Sequence, residues 1–273
     1  MPSSFSLRLF ASDVDGTLLT FDHHITDEVR AAIGEARAAG VHVILASARS
    51  PQAIAILQDD LGLRGEPLVG LQGAWVGEVP ADGAPVAYAK HPLPVDAART
   101  VYETCQRLAT PLCWFAEDEW FYSFPAQVVD YEARVTGIAP AGELDVERAL
   151  EKQGPLKIMV PFNPADPAVG SRVLADLPDG LLGQLTGEHY LEITTPSADK
   201  SHGVALIAER LGVDRAHIAA AGDGPNDIGM FSIAGRSFAM GNASPAVQEA
   251  ASQVTGTNAE SGLALAIREA LRA

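Results

Sequence analysis

Short apolar runs that alternate with helical segments are the feature of this sequence that most constrains its fold. The run at residues 41–46 is almost continuously apolar, as expected for a strand that is covered on both faces. The helical segment before it has an N-cap residue in Thr26 and a stop signal in Gly40. Strand, helix and strand at this spacing predict a parallel sheet with right-handed crossovers, and therefore an α/β fold.

The alternating pattern is interrupted in the middle of the chain. A stretch rich in proline and glycine at 80–85 is typical of a turn or linker, and the alternation returns after about residue 188. The residues between mix strands and helices and are numerous enough to form their own small core. We therefore predict a Rossmann-like parallel-sheet core built from residues 1–80 and 188–273, with an α+β domain of residues 81–187 inserted between its halves.

Charge and cysteine content limit the classes of function. The formal net charge of −16 argues against nonspecific nucleic-acid binding, and an anionic substrate would need positive charge near its binding site. Cys105 and Cys113 are too few for a disulfide framework, which indicates a reducing cytoplasm. The sequence shows no signal peptide and no long apolar run. We therefore expect a soluble cytoplasmic protein without a membrane partner.

Two aspartates separated by one residue follow an apolar run at 7–12. If the strand continues through Asp15, the side chains of Asp13 and Asp15 leave on the same face and point into one site. Gly16 then allows the chain to turn away. An acidic turn without function is the ordinary alternative. An EF-hand loop is excluded because Gly16 comes too early in the loop and is followed by leucines.

Further polar residues follow other predicted strands, at the edge of the sheet where ligands bind in open α/β folds. They are Ser47 and Arg49, Lys200, and the group Asp223, Asn226 and Asp227. Each has an ordinary alternative: Ser47 as a helix cap, Lys200 as an exposed lysine, and Asp223 as a turn residue. Their similar topological positions favour a shared site.

Several carboxylates at one edge of a sheet would repel each other unless a dication were present. An all-oxygen site suits Mg²⁺, and no cluster of Cys and His has the spacing of a zinc site. A carboxylate beside Mg²⁺ can attack phosphorus and form an aspartyl-phosphate. Lys200 and Ser47 would then stabilise the phosphoryl group, and Asp15 could protonate the leaving oxygen and activate water.

The order and spacing of these motifs resemble the haloacid-dehalogenase superfamily phosphatases, within them the Cof-type branch with a C2-type cap. The matching signals are the run at 13–18, a hydroxyl residue after the second strand, an isolated Lys, and the run at 222–227. The resemblance implies Asp13 as nucleophile and Asp15 as general acid and base. It also implies a Mg²⁺ site formed by Asp13, Asp15 (including its backbone carbonyl) and Asp223, with Asp227 and Asn226 completing or supporting it. Ser47 and Lys200 would hold the phosphoryl group, and we assign Asn226 to phosphoryl binding as well.

The chain departs from the family pattern in two loops. Ser47-Ala48-Arg49 stands where Thr-Gly-Arg is more usual, and the serine keeps the hydroxyl donor. Gln72-Gly73-Ala74 stands where Asn-Gly-Ala is frequent. Arg49 and Asn242 match residues that are frequent in the family, and we assign them supporting roles.

These observations predict a Mg²⁺-dependent hydrolase of small phosphomonoesters such as sugar phosphates. The expected partner is a small phosphorylated metabolite, and the oligomeric state is left open. A phosphoryl-transferring mutase and a catalytically quiet binding protein of the same fold are the alternatives. In the insert, we expect the aromatic segment at 113–122 to form the domain's own core rather than a pocket for the leaving group. We expect Lys157 to be an exposed lysine rather than one that faces the site.

Overall fold

A computed structural model describes residues 5–82, 84–151, 153–162, 168–186 and 190–272. The chain divides into two compact units. The first combines Met1–Tyr88 with Asp199–Ala273, and the second is Ala89–Ala198. We call them the core unit and the insert unit.

The boundaries of the insert unit differ from the range 81–187 that the sequence predicts. The unit begins at Ala89 because two strands continue the sheet of the core unit on either side of the turn at 80–85. The predicted boundary at 187/188 lies outside the described residues, and the insert unit ends at Ala198.

The strands of the described residues are β1 (Leu9–Ser12), β2 (His42–Ala46), β3 (Leu68–Gly70), β4 (Trp75–Glu78), β5 (Val86–Lys90), β6 (Cys113–Phe115), β7 (Trp120–Tyr122), β8 (Gly142–Glu143), β9 (Lys157–Pro161), β10 (Leu182–Thr186), β11 (Tyr190–Thr194), β12 (Ile218–Gly222), β13 (Arg236–Ala239) and β14 (Gln253–Val254). The α-helices are α1 (Asp27–Ala38), α2 (Pro51–Asp60), α3 (Val95–Arg107), α4 (Gln127–Thr136), α5 (Val146–Leu150), α6 (Ala168–Ala175), α7 (Lys200–Arg210), α8 (Ile228–Ile233), α9 (Pro245–Ala250) and α10 (Gly262–Arg272).

The core unit is organised around an eight-stranded sheet in the order β14-β13-β12-β1-β2-β3-β4-β5. The strands from β14 to β3 pair in parallel, whereas β3 and β4 pair antiparallel. The residues of β1 and β12 are all buried, because helices lie between successive parallel strands along the chain. The predicted parallel-sheet α/β core is confirmed.

Local signals explain where the helices beside this sheet begin. Thr26 caps α1 by accepting a hydrogen bond from the backbone N–H of Val29. Ser50 caps α2 in the same way, and Pro51 occupies the first turn, where a missing N–H costs nothing. Asp199 caps α7 and accepts from the N–H of Ser201, so that Lys200 is the first residue of the helix.

The insert unit contains a six-stranded sheet in the order β10-β11-β9-β6-β7-β8. All of its pairs are antiparallel except that between β7 and β8. One face of the sheet packs against α3, α5 and α6 in a cluster that includes Trp114, Ile158 and Leu191. Trp114 thus belongs to the domain's own core, as the sequence predicts for this aromatic segment.

The opposite face of the insert sheet carries a buried charge. Lys157 is only 3 % exposed, so the prediction of an exposed lysine is wrong. Its Nζ donates a hydrogen bond of 2.6 Å to Glu192 Oε1 and lies 4.8 Å from the centre of the Phe115 ring. An opposite charge and an aromatic face compensate for the water that the ammonium loses on burial.

None of the helices among the described residues is long and apolar enough to cross a membrane.

Candidate active site

Three neighbouring parallel strands of the core unit end at the same edge of the sheet. β1 ends at Ser12, β2 at Ala46 and β12 at Gly222. Asp13, Ser47 and Asp223 are the residues that follow these strands. The carboxyl edge of an open parallel sheet is where such folds bind ligands.

A buried cluster of charges lies at this edge. The Nζ of Lys200 donates hydrogen bonds to Asp13 Oδ1 at 2.6 Å and to Asp227 Oδ1 at 2.8 Å. All three side chains are buried, with 2 % exposure for Lys200. Burial opposes the charged form of Lys200, but Asp13 and Asp227 outweigh this effect, so the pKa of Lys200 is raised. The alternative of an ordinary exposed lysine is wrong.

Three carboxylates of the cluster are close enough to share a cation. One oxygen from each of Asp13, Asp223 and Asp227 lies within 4.8 Å of the others. Burial, and then repulsion by Asp227 and Asp223, raise the pKa of Asp13 well above its usual range against the opposing effect of Lys200. Burial, followed by repulsion from Asp227, raises the pKa of Asp223 to about 6. The cluster thus brings three acidic side chains together with one ammonium, that of Lys200.

The Oδ2 atom of Asp13 is buried and has no hydrogen-bond partner among the described residues. An unpaired buried carboxylate oxygen is costly unless a further group binds it. The donor set around it consists of carboxylate oxygens, which hard divalent cations prefer. The residues present thus fit a divalent cation.

Neighbouring groups hold the other carboxylates of the cluster in place. Asp227 Oδ2 accepts hydrogen bonds from the backbone N–H groups of Asp223 and Gly224 at 3.0 and 2.9 Å. Asp223 accepts from Thr17 Oγ1 and Asn242 Nδ2, each at 3.3 Å. The roles of Thr17 and Asn242 as direct partners of Asp223 were not predicted, because both contacts join distant parts of the chain.

Gly16 allows the loop after β1 to approach Asp223. Its φ of +86° lies in the left-handed region that favours glycine. A Cβ at this position would be 2.3 Å from Asp223 Oδ2. Glycine is therefore required at position 16 for two reasons: the left-handed turn and the close approach of Asp223.

Asp15 does not share the environment of Asp13. Because β1 ends at Ser12, the condition under which both side chains would leave on one strand face is not met. The side chain of Asp15 is 48 % exposed, and both of its oxygens accept hydrogen bonds from Arg49. The two distances are 2.8 Å from Nε and 2.6 Å from Nη2. His23 Nδ1 lies 4.0 Å from Asp15 Oδ1.

The loop after β2 is tied to the loop after β3. Ser47 is buried, and its Oγ accepts a hydrogen bond from the backbone N–H of Arg49 at 3.1 Å. The carbonyl oxygen of Ser47 accepts from the N–H of Gln72 at 3.0 Å. The side-chain Oε1 of Gln72 in turn accepts from Asn226 Nδ2 at 2.9 Å. The sequence did not predict a site contact for Gln72, and only the departure at 72–74 singled out this loop.

Comparison with known proteins identifies the family. The family model for haloacid dehalogenase-like hydrolases matches residues 10–267. This chain belongs to that family and, by its motifs, to its Cof-type branch.

Curated relatives extend over almost the whole chain. The YxeH protein of Bacillus subtilis (strain 168) is 30% identical over 272 residues, which cover 96% of this chain and 97% of the relative. The same organism contains 5-amino-6-(5-phospho-D-ribitylamino)uracil phosphatase YcsE, which is 28% identical over 266 residues, with 96% and 95% of the two chains covered.

Solved structures show the same fold. The phosphatase BT1666 from Bacteroides thetaiotaomicron superposes with a TM-score of 0.80 at 25% identity and covers 99% of this chain and 97% of its own. The sugar phosphatase BT4131, of HAD subclass IIB, superposes with a TM-score of 0.81 at 21% identity and covers 96% and 98%. The likeness to BT4131 concerns the fold alone.

Proposed function

We propose that this protein is a Mg²⁺-dependent phosphatase that hydrolyses small phosphomonoesters, such as sugar phosphates, through an aspartyl-phosphate intermediate on Asp13. The observation that carries the proposal is the buried Asp13 carboxylate, with one oxygen on Lys200 and the other without a hydrogen-bond partner among the described residues. Membership of the hydrolase family and the phosphatase names of relatives support the reaction class.

Mg²⁺ would be held by the carboxylates of Asp13 and Asp223 and by the backbone carbonyl of Asp15. Both oxygens of Asp227 already accept hydrogen bonds, from Lys200 and from two backbone N–H groups, so Asp227 has a supporting place in this metal site. When bound, the ion would neutralise negative charge on the transferring phosphoryl group.

The proposed reaction consists of two successive displacements at phosphorus, both carried out by residues of this chain. In the first, an oxygen of Asp13 forms a bond to phosphorus, and the ester oxygen leaves with the electrons of the bond that breaks. Asp15, after one of its oxygens has left Arg49 and taken up a proton from solvent, gives that proton to the leaving oxygen. In the second, water attacks phosphorus and gives its proton to Asp15. Asp13 then leaves as a carboxylate, and inorganic phosphate is released.

The phosphoryl oxygens would be bound by Ser47, Lys200 and Asn226. Two of the three N–H donors of Lys200 serve Asp13 and Asp227, which leaves one for the phosphoryl group. Both oxygens of Asp15 accept from Arg49, so proton transfer requires one of them to be released from the guanidinium.

The proposal is tested by hydrolysis of a generic aryl phosphate with and without Mg²⁺. The wild type should hydrolyse it only with the metal, and Asp13→Asn should lower kcat by at least about a thousandfold because the nucleophile is lost. The exposed Asp214→Asn is the matched control and should keep wild-type activity. Equal rates for wild type and Asp13→Asn would exclude this mechanism.

The natural substrate can be sought with a panel of phosphorylated metabolites compared by kcat/KM. The panel should contain sugar phosphates and 5-amino-6-(5-phospho-D-ribitylamino)uracil, the substrate that the name of YcsE gives for that relative. Acceptor-competition kinetics in the same assay separate hydrolysis from phosphoryl transfer to a second metabolite. Under the proposal, added alcohol or sugar acceptors leave the release of inorganic phosphate unchanged.

A further inference from the structure

The turn between β3 and β4 has an unusual backbone. Leu71, Gln72 and Gly73 have φ values of 52°, 62° and 98°, so two consecutive residues that are not glycine lie in the left-handed region. Such conformations are sparsely populated and persist only where the surroundings impose them. Gln72 is only 8 % exposed, so the conformation is not that of a free surface turn.

Hydrogen bonds fix this turn to the loop after β2. The N–H of Leu71 donates to the carbonyl oxygen of Arg49 at 2.9 Å, and the N–H of Gln72 donates to that of Ser47 at 3.0 Å. A Cβ on Gly73 would be 2.4 Å from the carbonyl oxygen of Asp199, so the turn also packs tightly on the residue before Lys200. The backbone of Gln72 thus has a defined position relative to the site.

The side chain of Gln72 joins this turn to the loop after β12. Its Oε1 accepts the hydrogen bond of 2.9 Å from Asn226 Nδ2. This contact uses one of the two N–H donors of the Asn226 amide and determines which way that amide faces. Gln72 consequently connects two residues with proposed phosphoryl-binding roles. The main chain of Gln72 contacts Ser47, and the side chain of Gln72 contacts Asn226.

We propose that Gln72 is a positioning residue that fixes Asn226 relative to Ser47 and thereby sets the affinity of the site for the phosphoryl group. The inference rests on the proposed phosphatase function. Gln72 acts through Asn226, and its effect is preorganisation. When the donors are already held in the correct geometry, no binding free energy is spent on ordering them as the phosphoryl group binds. The left-handed backbone of the turn orients the side-chain amide of Gln72 toward Asn226.

The test compares Gln72→Met, which keeps the length of the side chain and removes the acceptor, with the wild type. We expect KM for an aryl phosphate and the inhibition constant of inorganic phosphate to rise about tenfold, while kcat changes about threefold or less. The matched control is Gln58→Met. Gln58 is a fully buried glutamine of the core unit whose side-chain Nε2 donates a hydrogen bond to Glu66 O at 2.9 Å. Gln58→Met should leave both KM and the inhibition constant of phosphate unchanged.

A double-mutant cycle separates positioning from a merely structural role. In an Asn226→Ala background, Gln72→Met should change KM and phosphate inhibition less than about twofold, because the group through which Gln72 acts is absent. An equal factor in both backgrounds would overturn the inference. Wild-type KM and phosphate inhibition in Gln72→Met would overturn it as well.

A second variant guards against loss of folding. Asn adopts left-handed backbone more readily than Gln, so Gln72→Asn should fold at least as stably as wild type. Its amide is one methylene shorter and withdraws from Asn226, so the rise in KM should persist. The increase in melting temperature that inorganic phosphate causes in the presence of Mg²⁺ gives a readout besides activity, and it should shrink in both variants. A wild type without phosphatase activity would instead refute the proposed function.

Discussion

At the scale of single residues, the site is defined by an imbalance of charge. Lys200 contacts Asp13 and Asp227, and Asp223 adds a third carboxylate to the same cluster. One ammonium faces three carboxyl groups, and burial, followed by repulsion among these groups, raises the pKa values of Asp13 and Asp223. We therefore expect the Asp223 carboxylate to lower the stability of the protein at neutral pH when no cation is bound.

This imbalance predicts that Asp223→Asn stabilises the metal-free protein while it weakens Mg²⁺ binding. Near pH 7.5 without metal, its melting temperature should exceed that of the wild type by at least about 2 °C, since 1 kcal/mol corresponds to roughly 2–4 °C for a chain of this size. Mg²⁺ should raise the melting temperature of the wild type and have much less effect on the variant. Thermal unfolding with and without Mg²⁺ measures both effects.

The stabilisation by Asp223→Asn should also depend on pH. Because the pKa of Asp223 is raised from 3.8 to about 6, the folded wild type binds more protons than the unfolded chain between these values. Wild-type stability relative to the variant therefore falls as pH rises through this window. The advantage of Asp223→Asn should be full near pH 7.5, fall to roughly a third of that near pH 4.5, and disappear only below the unfolded pKa of 3.8. A variant that is less stable than wild type at both pH values would contradict this account.

At the scale of elements, the ends of strands were easier to predict than the directions of side chains. Apolar runs and the polar residues after them follow from the local sequence, and they placed Asp13, Ser47 and Asp223 at one edge of the sheet. The separation of Asp15 from Asp13 depends instead on the end of β1 at Ser12 and on the ion pair with Arg49. No local pattern specifies either.

Partners far apart in the chain account for the other differences. Lys157 and Glu192 are separated by 35 residues, and Gln72 and Asn226 by 154. A lysine is usually exposed, and only the pairing of β9 with β11 brings the glutamate that makes its burial tolerable. The order of the motifs suggests chemical roles for the site residues, and these roles stay predictions. The motif order does not predict contacts between residues so far apart in the chain.

The buried pair of the insert sheet leads to a prediction about β9 and β11. Lys157→Met or Glu192→Gln alone should reduce the free energy of unfolding by roughly 3–5 kcal/mol, because each leaves the other charge buried without its partner. The double variant should be more stable than the sum of the two single effects implies, since neither charge remains. Urea denaturation of the four proteins measures the coupling.

An exposed ion pair of the same unit is the control for this cycle. Arg107 and Asp176 have side chains that are 63% and 53% exposed and contact each other at 2.6 Å. Arg107→Met should cost less than about 1 kcal/mol, as is usual for surface pairs. Strict additivity of Lys157→Met and Glu192→Gln would show that the buried pair is not energetically coupled.

At the scale of the whole molecule, the chain combines two hydrophobic cores with a strongly negative net charge. The core unit carries the site and its sheet, while the insert unit has its own cluster around Trp114 and Ile158. The net charge of −16 repels an anionic substrate at long range. We therefore expect affinity for an anionic substrate to depend on the positive charge and the hydrogen-bond donors at the proposed site.

Both cysteines are buried in the insert unit, Cys105 in its hydrophobic cluster and Cys113 on β6, and they can report whether this unit stays folded in the intact protein. Cys105 and Cys113 are free and buried, and burial raises the pKa of Cys105 to about 12 and raises that of Cys113 as well. Near pH 8 only about one Cys105 thiol in ten thousand is a thiolate, so neither cysteine should react with a disulfide reagent at a measurable rate until the unit unfolds. In denaturant both should react at once. Ser197→Cys, at an exposed position, is the control that should react in the native protein within seconds to minutes, and native cysteines that react as fast as this one would show that the insert core is open.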